Sequence, residues 1–338
     1  MQFEERILTF VQLKTFLQSE NGKLKIEDWK YRIANENKWF TPENIDKAIN
    51  AIISNFLDEA KLRFWLADFT KEVIPKKVGL VLSGNLPAVG FFDMLAVVLS
   101  GNLALLKLST SDTVLMKGLI QTLFEINPKI EKYIQIVEKL NESDAFIATG
   151  SDNSARYFEY YFSKKPNIIR KNRSSLAILN GSEIEADFKA LATDIFNYYG
   201  LGCRNVSKIF VPQNYDFVPF YDAIESWNTI LNNNKYQNNY DYNKSVLLIN
   251  GTPHYDNGFL LLTENPSLVS PISVLYYEYY NDFESVSSKI EEVKDKIQCI
   301  VGDNLPFDSI SFGQSQEPSL TDYPDGVDVL AFLKSIEN

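Results

Sequence analysis

Apolar residues recur at three- and four-residue spacing through residues 3–70, the mark of helices that bury one face. The spacing predicts helices over 4–18, 25–35 and 42–69. Thr41-Pro42-Glu43-Asn44 supplies a start signal, because the threonine can cap open N–H groups and proline suits the first helical position. From about Lys76 the pattern changes to short apolar runs that alternate with longer amphipathic ones. Strands are expected at 78–82, 103–108 and 145–149, with helices at 88–99, 113–125 and 153–162. Such alternation builds a parallel sheet with helices on both faces. A second α/β portion follows, with a helix over 184–199 and strands at 208–211, 246–249, 259–262 and 273–277. The asparagine-rich run 232–239 reads as a surface loop. Ligands of parallel sheets bind beyond the carboxyl ends of the strands, so the turns there are where chemistry is expected.

Composition narrows the classes. A chain of 338 residues with 45% hydrophobic content can hold two domains. A net charge of −11 argues against nucleic acid as a partner, since that affinity comes from neutralising phosphates. Against this background Lys164, Lys165, Arg170, Lys171 and Arg173 fall within ten residues with no acid among them. The run is either a solvated face or a patch for a small polyanion, with Lys164, Arg170, Lys171 and Arg173 as its candidates. Met1-Gln2-Phe3-Glu4-Glu5 is acidic where a secretion signal is basic. Asp93, Gly101 and Asn102 interrupt the longest apolar stretch, 88–108. The expectation is a cytoplasmic protein without a membrane span.

The chain has one histidine, His254, and two cysteines, Cys203 and Cys299. His254 lies in Gly251-Thr252-Pro253-His254, which reads as a surface turn, so histidine-based hydrolysis is disfavoured. The three residues lack metal-ligand spacing, and no metal is expected. Cys299, in Ile297-Gln298-Cys299-Ile300-Val301, reads as a buried strand residue without a role. Cys203 differs. It sits in Gly200-Leu201-Gly202-Cys203-Arg204, a glycine-flanked turn between a helix and a strand, where a substrate can approach the backbone.

Three further turns offer polar groups at strand ends: Ser83-Gly84-Asn85-Leu86-Pro87, Lys107-Leu108-Ser109-Thr110 and Thr149-Gly150-Ser151. Singly each has an ordinary reading, as a turn asparagine, a solvated lysine and a helix cap at Ser151 or Asp152. None is a G-x-G-x-x-G fingerprint. Taken in order, Asn85-Leu86-Pro87, Lys107-Leu108-Ser109, Thr149-Gly150-Ser151 and Gly202-Cys203 resemble the aldehyde dehydrogenase superfamily, whose patterns are N-F-P, K-P-S-E, T-G-S and G-Q-x-C. The resemblance covers about residues 76–335. Within the superfamily the chain resembles the Lux-type acyl-CoA reductases. Phe312-Gly313-Gln314-Ser315-Gln316 and Asp322-Tyr323-Pro324-Asp325-Gly326-Val327-Asp328 are similar to that branch.

The resemblance implies an α/β fold of the aldehyde dehydrogenase type. It divides into an N-terminal helical segment (1–75), a Rossmann-type cofactor domain (76–195), a catalytic α/β domain (196–305) and a returning C-terminal segment (306–338). It implies NADPH-dependent reduction of an acyl-CoA to an aldehyde through an acyl-cysteine. Cys203 is then the nucleophile, and Asn85 joins the Cys203 backbone N–H in holding the oxyanion. Lys107, Ser109, Thr149, Gly150 and Ser151 hold the cofactor, and coenzyme A is the leaving group. The departures carry information. The superfamily's hydrolytic glutamate aligns with Ile169, so an acyl-enzyme should outlast hydrolysis. The acid of K-P-S-E becomes Thr110, which favours a 2′-phosphate and hence NADPH. A helix-start glycine becomes Ala155. Ser267 stands where a ribose-binding glutamate belongs, with Glu264 as its substitute. The partner expected is a small-molecule acyl-CoA, and a homo-oligomer or a complex with an acyl-activating enzyme is compatible with the resemblance. The competing readings are an acyl-phosphate or semialdehyde reductase of the same superfamily, and a non-catalytic partner protein that keeps the fold.

Overall fold

In the computed structural model, which describes residues 1–70 and 74–336, the chain forms two units: Met1–Asn172 with Pro318–Asn338, and Arg173–Glu317. The first opens with helices α1 (Phe3–Gln18), α2 (Glu20–Glu36), α3 (Pro42–Ala51) and α4 (Glu59–Trp65). Ser19 caps α2 by accepting from the Gly22 N–H, and Thr41 caps α3 by accepting from Asn44. The single helix expected over 42–69 is broken. A π turn at Ile52–Phe56 follows α3, and Asp58 accepts the Lys61 N–H to start α4. The apolar period runs straight across this break and does not register it.

The sheet of this unit contains β1 (Lys77–Val81), β2 (Leu103–Lys107), β3 (Ile134–Ile136), β4 (Ala145–Thr149) and β5 (Asn167–Arg170). All pairs are parallel, in the order β3-β2-β1-β4-β5. The order reverses between β1 and β4, and ligands of open parallel sheets bind beyond the carboxyl ends of the strands at such a reversal. Helices α5 (Phe91–Leu99), α6 (Thr113–Ile126) and α7 (Asp152–Phe162) connect the strands. α5 is apolar almost all round, and every residue in it is buried, as that pattern requires. It begins at Phe91 rather than at residue 88, because Ala88 has a left-handed backbone (φ 53°). Phe10 and Leu13 of α1 share one core with Phe91, Leu95 and Leu119. The N-terminal helices are therefore part of the first unit's core.

The second unit contains β6 (Ser174–Ile178), α8 (Glu185–Phe196), β7 (Val206–Pro212), α9 (Val218–Ile224), α10 (Asn234–Ile249), β8 (Tyr255–Asp256), β9 (Leu261–Glu264), β10 (Val274–Tyr280), α11 (Phe283–Val293) and β11 (Ile297–Val301). Its strand order is β11-β6-β7-β10-β9-β8, parallel except for the β8–β9 pair. The boundary expected at 195/196 falls inside this unit, since β6 pairs with β7 and α8 belongs with them. α12 (Val329–Ser335) belongs to the first unit, where Leu330 and Leu333 join its core. Among the described residues no helix is long and apolar enough to cross a membrane.

Two expectations fail together in α10. Residues 246–249 are not a strand and 232–239 is not wholly a loop. Asn233 accepts the Lys235 and Tyr236 N–H groups and starts a helix through both segments. Tyr236, Tyr240 and Leu247 face inward at helical spacing, while Leu248 and Ile249 are exposed. A run of four apolar residues does not by itself distinguish a strand from a helix end.

Candidate active site

The first two turns at the carboxyl edge of the first sheet are bonded to each other. Ser83 donates to Asn85 Oδ1 at 2.6 Å, which orients the exposed Asn85 amide. A Cβ on Gly84 would lie 2.2 Å from Ser109 Oγ, so this position must be glycine for the first two turns to pack. The Ala88 N–H donates to Asp112 Oδ2 at 2.8 Å, and burial pushes the Asp112 carboxyl well up. Lys107 is exposed at the end of β2, and Ser109 Oγ accepts the Ser111 N–H at 3.3 Å. On the other side of β1, Thr149 ends β4. The Gly150 N–H donates to the Arg170 carbonyl at 3.3 Å, and Ser151 caps α7 by accepting from Ser154. A Cβ on Gly150 would come within 2.9 Å of Ser154 and Phe158, so the turn carries no side chain there. Ala155 is fully buried. Asn85, Lys107, Ser109, Thr149, Gly150 and Ser151 thus share one sheet edge on adjacent strands.

The basic run 164–173 does not form the anion patch considered for it. Arg170 faces inward on β5, is 3% exposed and pairs with Asp93 of α5 at 2.6 Å. Lys171 pairs with Glu159 at 2.8 Å, Lys165 donates to the Ser143 carbonyl, and Arg173 donates to the Ile297 carbonyl at 3.0 Å. Strand alternation and nearby acids disperse the charges that the sequence clusters. Ile169 occupies β5 opposite Ala148, half-buried.

In the second unit Cys203 is exposed, in the turn between α8 and β7. The chain reaches it through Tyr198, Tyr199 and Gly200, all left-handed (φ 54°, 60° and 74°). Such backbone is costly for residues with a Cβ, so the surroundings must hold it. Asn205, 2% exposed, accepts the Gly202 N–H at 2.8 Å and donates to the Asp194 and Asn197 carbonyls at 2.9 Å each. Ser175 on β6 donates to the Cys203 carbonyl at 3.0 Å. The same hydroxyl lies 3.0 Å from Cys299 Sγ. Cys299 is on β11 as expected, yet it is only half-buried and shares Ser175 with the Cys203 turn. Glu264 ends β9, exposed and in register with Tyr277, and the Ser267 N–H closes a turn on Asn265. His254 Nδ1 lies 2.8 Å from the Thr252 carbonyl, as a turn residue would. Asp112, Ser175, Asp194 and Asn205 were not legible as site residues, because their partners are distant or ordinary backbone groups.

The first unit thus has a parallel sheet whose order reverses between β1 and β4, and the second presents the Cys203 thiol on a turn held by Asn205 and Ser175. The chain is similar to a putative aldehyde dehydrogenase, PutA, from Anabaena variabilis at 14% identity, with a TM-score of 0.67 over 89% of this chain and 74% of that one. It is similar to an aldehyde dehydrogenase from Bacillus cereus, solved as an NAD+ complex, at 14% identity with a TM-score of 0.64 over 89% and 72%. A putative aldehyde dehydrogenase from Burkholderia cenocepacia gives 15% identity and a TM-score of 0.62 over 86% and 72%. At such identities these likenesses show the fold. No curated protein matches the sequence significantly. The acyl-CoA reductase (LuxC) family matches residues 12–219, and the protein belongs to that family. It is an oxidoreductase with an aldehyde dehydrogenase-like fold.

Proposed function

We propose that the protein reduces an acyl-CoA thioester to its aldehyde with NADPH, through an acyl-cysteine on Cys203. The observation that carries this reading is the exposed Cys203 on a turn fixed by Asn205 and Ser175, in a chain of the acyl-CoA reductase family. The Cys203 thiolate attacks the thioester carbonyl and forms a new carbon–sulfur bond. The bond to coenzyme A breaks, and coenzyme A leaves as a thiolate that takes up a proton. Asn85 and the Cys203 N–H serve as oxyanion donors, roles given by resemblance. Ile169, in place of a carboxylate base, leaves the acyl-enzyme without an activated water.

The first unit's residues fit a dinucleotide. Its sheet reverses order between β1 and β4, and the Gly150 turn carries no side chain where α7 begins. Lys107, Ser109, Thr149, Gly150 and Ser151 would hold the cofactor, with Glu264 toward its ribose. NADPH would supply the hydride to the acyl carbon, after which the carbon–sulfur bond to Cys203 breaks, the aldehyde leaves and the Cys203 thiolate is restored. The preference for the 2′-phosphate is supported by Thr110 at the usual acid position and by Asp112, whose carboxyl turns inward onto Ala88. The test is turnover of labelled acyl-CoA by the Cys203→Ser variant. The rate should fall by at least about 10³-fold, and a wild-type rate overturns the reading.

A further inference from the structure

The tail motif Phe312-Gly313-Gln314-Ser315-Gln316 plays no part in the reaction as written, yet it is tied to the thiol-bearing turn through buried groups. Asp194, near the end of α8, is fully buried. Its Oδ2 accepts the Gly313 N–H at 2.7 Å and its Oδ1 accepts the Ser315 N–H at 3.0 Å. The backbone carbonyl of the same residue accepts from Asn205 Nδ2. Asn205 in turn holds Gly202 twice, through Oδ1 to its N–H and through its own N–H to the Gly202 carbonyl at 3.0 Å. From the other side Arg204, the neighbour of the thiol, donates to the Ser315 carbonyl at 3.4 Å.

Ending a helix does not require this arrangement. A glycine or a local side chain closes most helix ends. Here a buried carboxylate reaches more than a hundred positions along the chain, and a buried amide ties the end of α8 to the thiol-bearing turn. The turn they hold follows three left-handed residues in succession, and at Tyr198 and Tyr199 that backbone is costly unless the surroundings hold it.

We infer that Asp194 and Asn205 are positioning residues for Cys203, through which the tail segment 313–316 fixes the conformation of the thiol-bearing turn. The inference rests on Cys203 as the nucleophile and deepens that reading. With the tail in place, the turn presents the sulfur outward. With the tail displaced, the turn samples other conformations, and reactivity falls with the competent fraction.

Two full-length variants test it. Asp194→Asn replaces one acceptor of the pair by an N–H donor. Gly313→Ala leaves Asp194, Asn205 and the turn chemically intact but strains the tail. Gly313 has φ +81°, and a Cβ there would lie 3.2 Å from Ala190 Cβ. For each variant, hydrogen exchange reads protection of 313–316, and peptide mass spectrometry reads the rate of Cys203 alkylation by iodoacetamide. Steady-state kinetics with acyl-CoA give kcat and KM. The expected result is loss of protection at 313–316 with Cys203 alkylation slowed by about tenfold. kcat should fall by about 10- to 100-fold while KM changes little. A loosened tail with Cys203 alkylated at the wild-type rate overturns the inference, as does undiminished protection of 313–316 in both variants. If Asp194→Asn does not fold, Gly313→Ala decides alone. Activity retained by Cys203→Ser would defeat the nucleophile reading separately, because alkylation reports on the turn without turnover.

Discussion

The Asp112 carboxyl group accepts the backbone N–H of Ala88 at 2.8 Å, and both residues are buried. The bond holds a left-handed alanine at the end of the turn that carries Asn85. Burial raises the Asp112 carboxyl, so the folded protein keeps a proton there that the unfolded chain releases near pH 3.8. The contribution of Asp112 to stability is therefore complete below that pH and declines as pH rises through its raised value. Asp112→Asn keeps an acceptor for Ala88 and removes the titration. Denaturation from acid to neutral pH should show a flatter profile for this variant, with neutral-pH stability equal to or above wild type. Asp112→Ala, which strands the Ala88 N–H, should lose about 1–3 kcal/mol.

Arg170 and Asp93 form an ion pair in which both side chains are almost fully buried. Arg170 Nε and Nη2 and Asp93 Oδ1 have no hydrogen-bond partner among the described residues. Arg170→Met should cost about 3–5 kcal/mol, because Asp93 then stays buried without its counter-charge. Adding Asp93→Leu should recover most of that loss. A double-mutant cycle in urea reads both, and an additive cycle would contradict the pairing.

Gly84 is required by the close approach of Ser109. Gly84→Ala should destabilise by about 1–3 kcal/mol, since Ser109 Oγ would lie 2.2 Å from the new Cβ. Adding Ser109→Gly should restore part of the loss. Melting temperatures of the single and double variants check this.

On the proposed reading, Thr110 sets the cofactor preference. Thr110→Glu restores an acid near the expected 2′-phosphate and should shift relative affinity from NADPH toward NADH by about tenfold, as one Coulombic repulsion in partly exposed surroundings would. Fluorescence titration with each nucleotide measures the ratio. An unchanged ratio would place the 2′-phosphate elsewhere.

Much of the alternation was legible because parallel strands and their helices differ in period. β4 was expected at 145–149 and found at Ala145–Thr149. The Cys203 turn stood out because its glycines and the scarcity of cysteine left few alternatives. β5 was hidden beneath its charges. Arg170 reads as surface until Asp93, 77 residues earlier, is seen to bury it. α10 was missed because Tyr236 and Tyr240 carry its inward face, and tyrosine gives a weak hydropathy signal. Asp194 acts on backbone groups more than a hundred positions away, of which sequence spacing holds no trace, and Asn205 acts on nearby backbone groups that any polar turn residue could reach.

The most direct measurement is intact and peptide mass spectrometry of the protein after exposure to acyl-CoA without reductant. The expected result is one added acyl group on the Cys203 peptide, absent in Cys203→Ser and discharged on adding NADPH. An acyl group on another residue, or turnover without any adduct and undiminished in Cys203→Ser, would contradict the account.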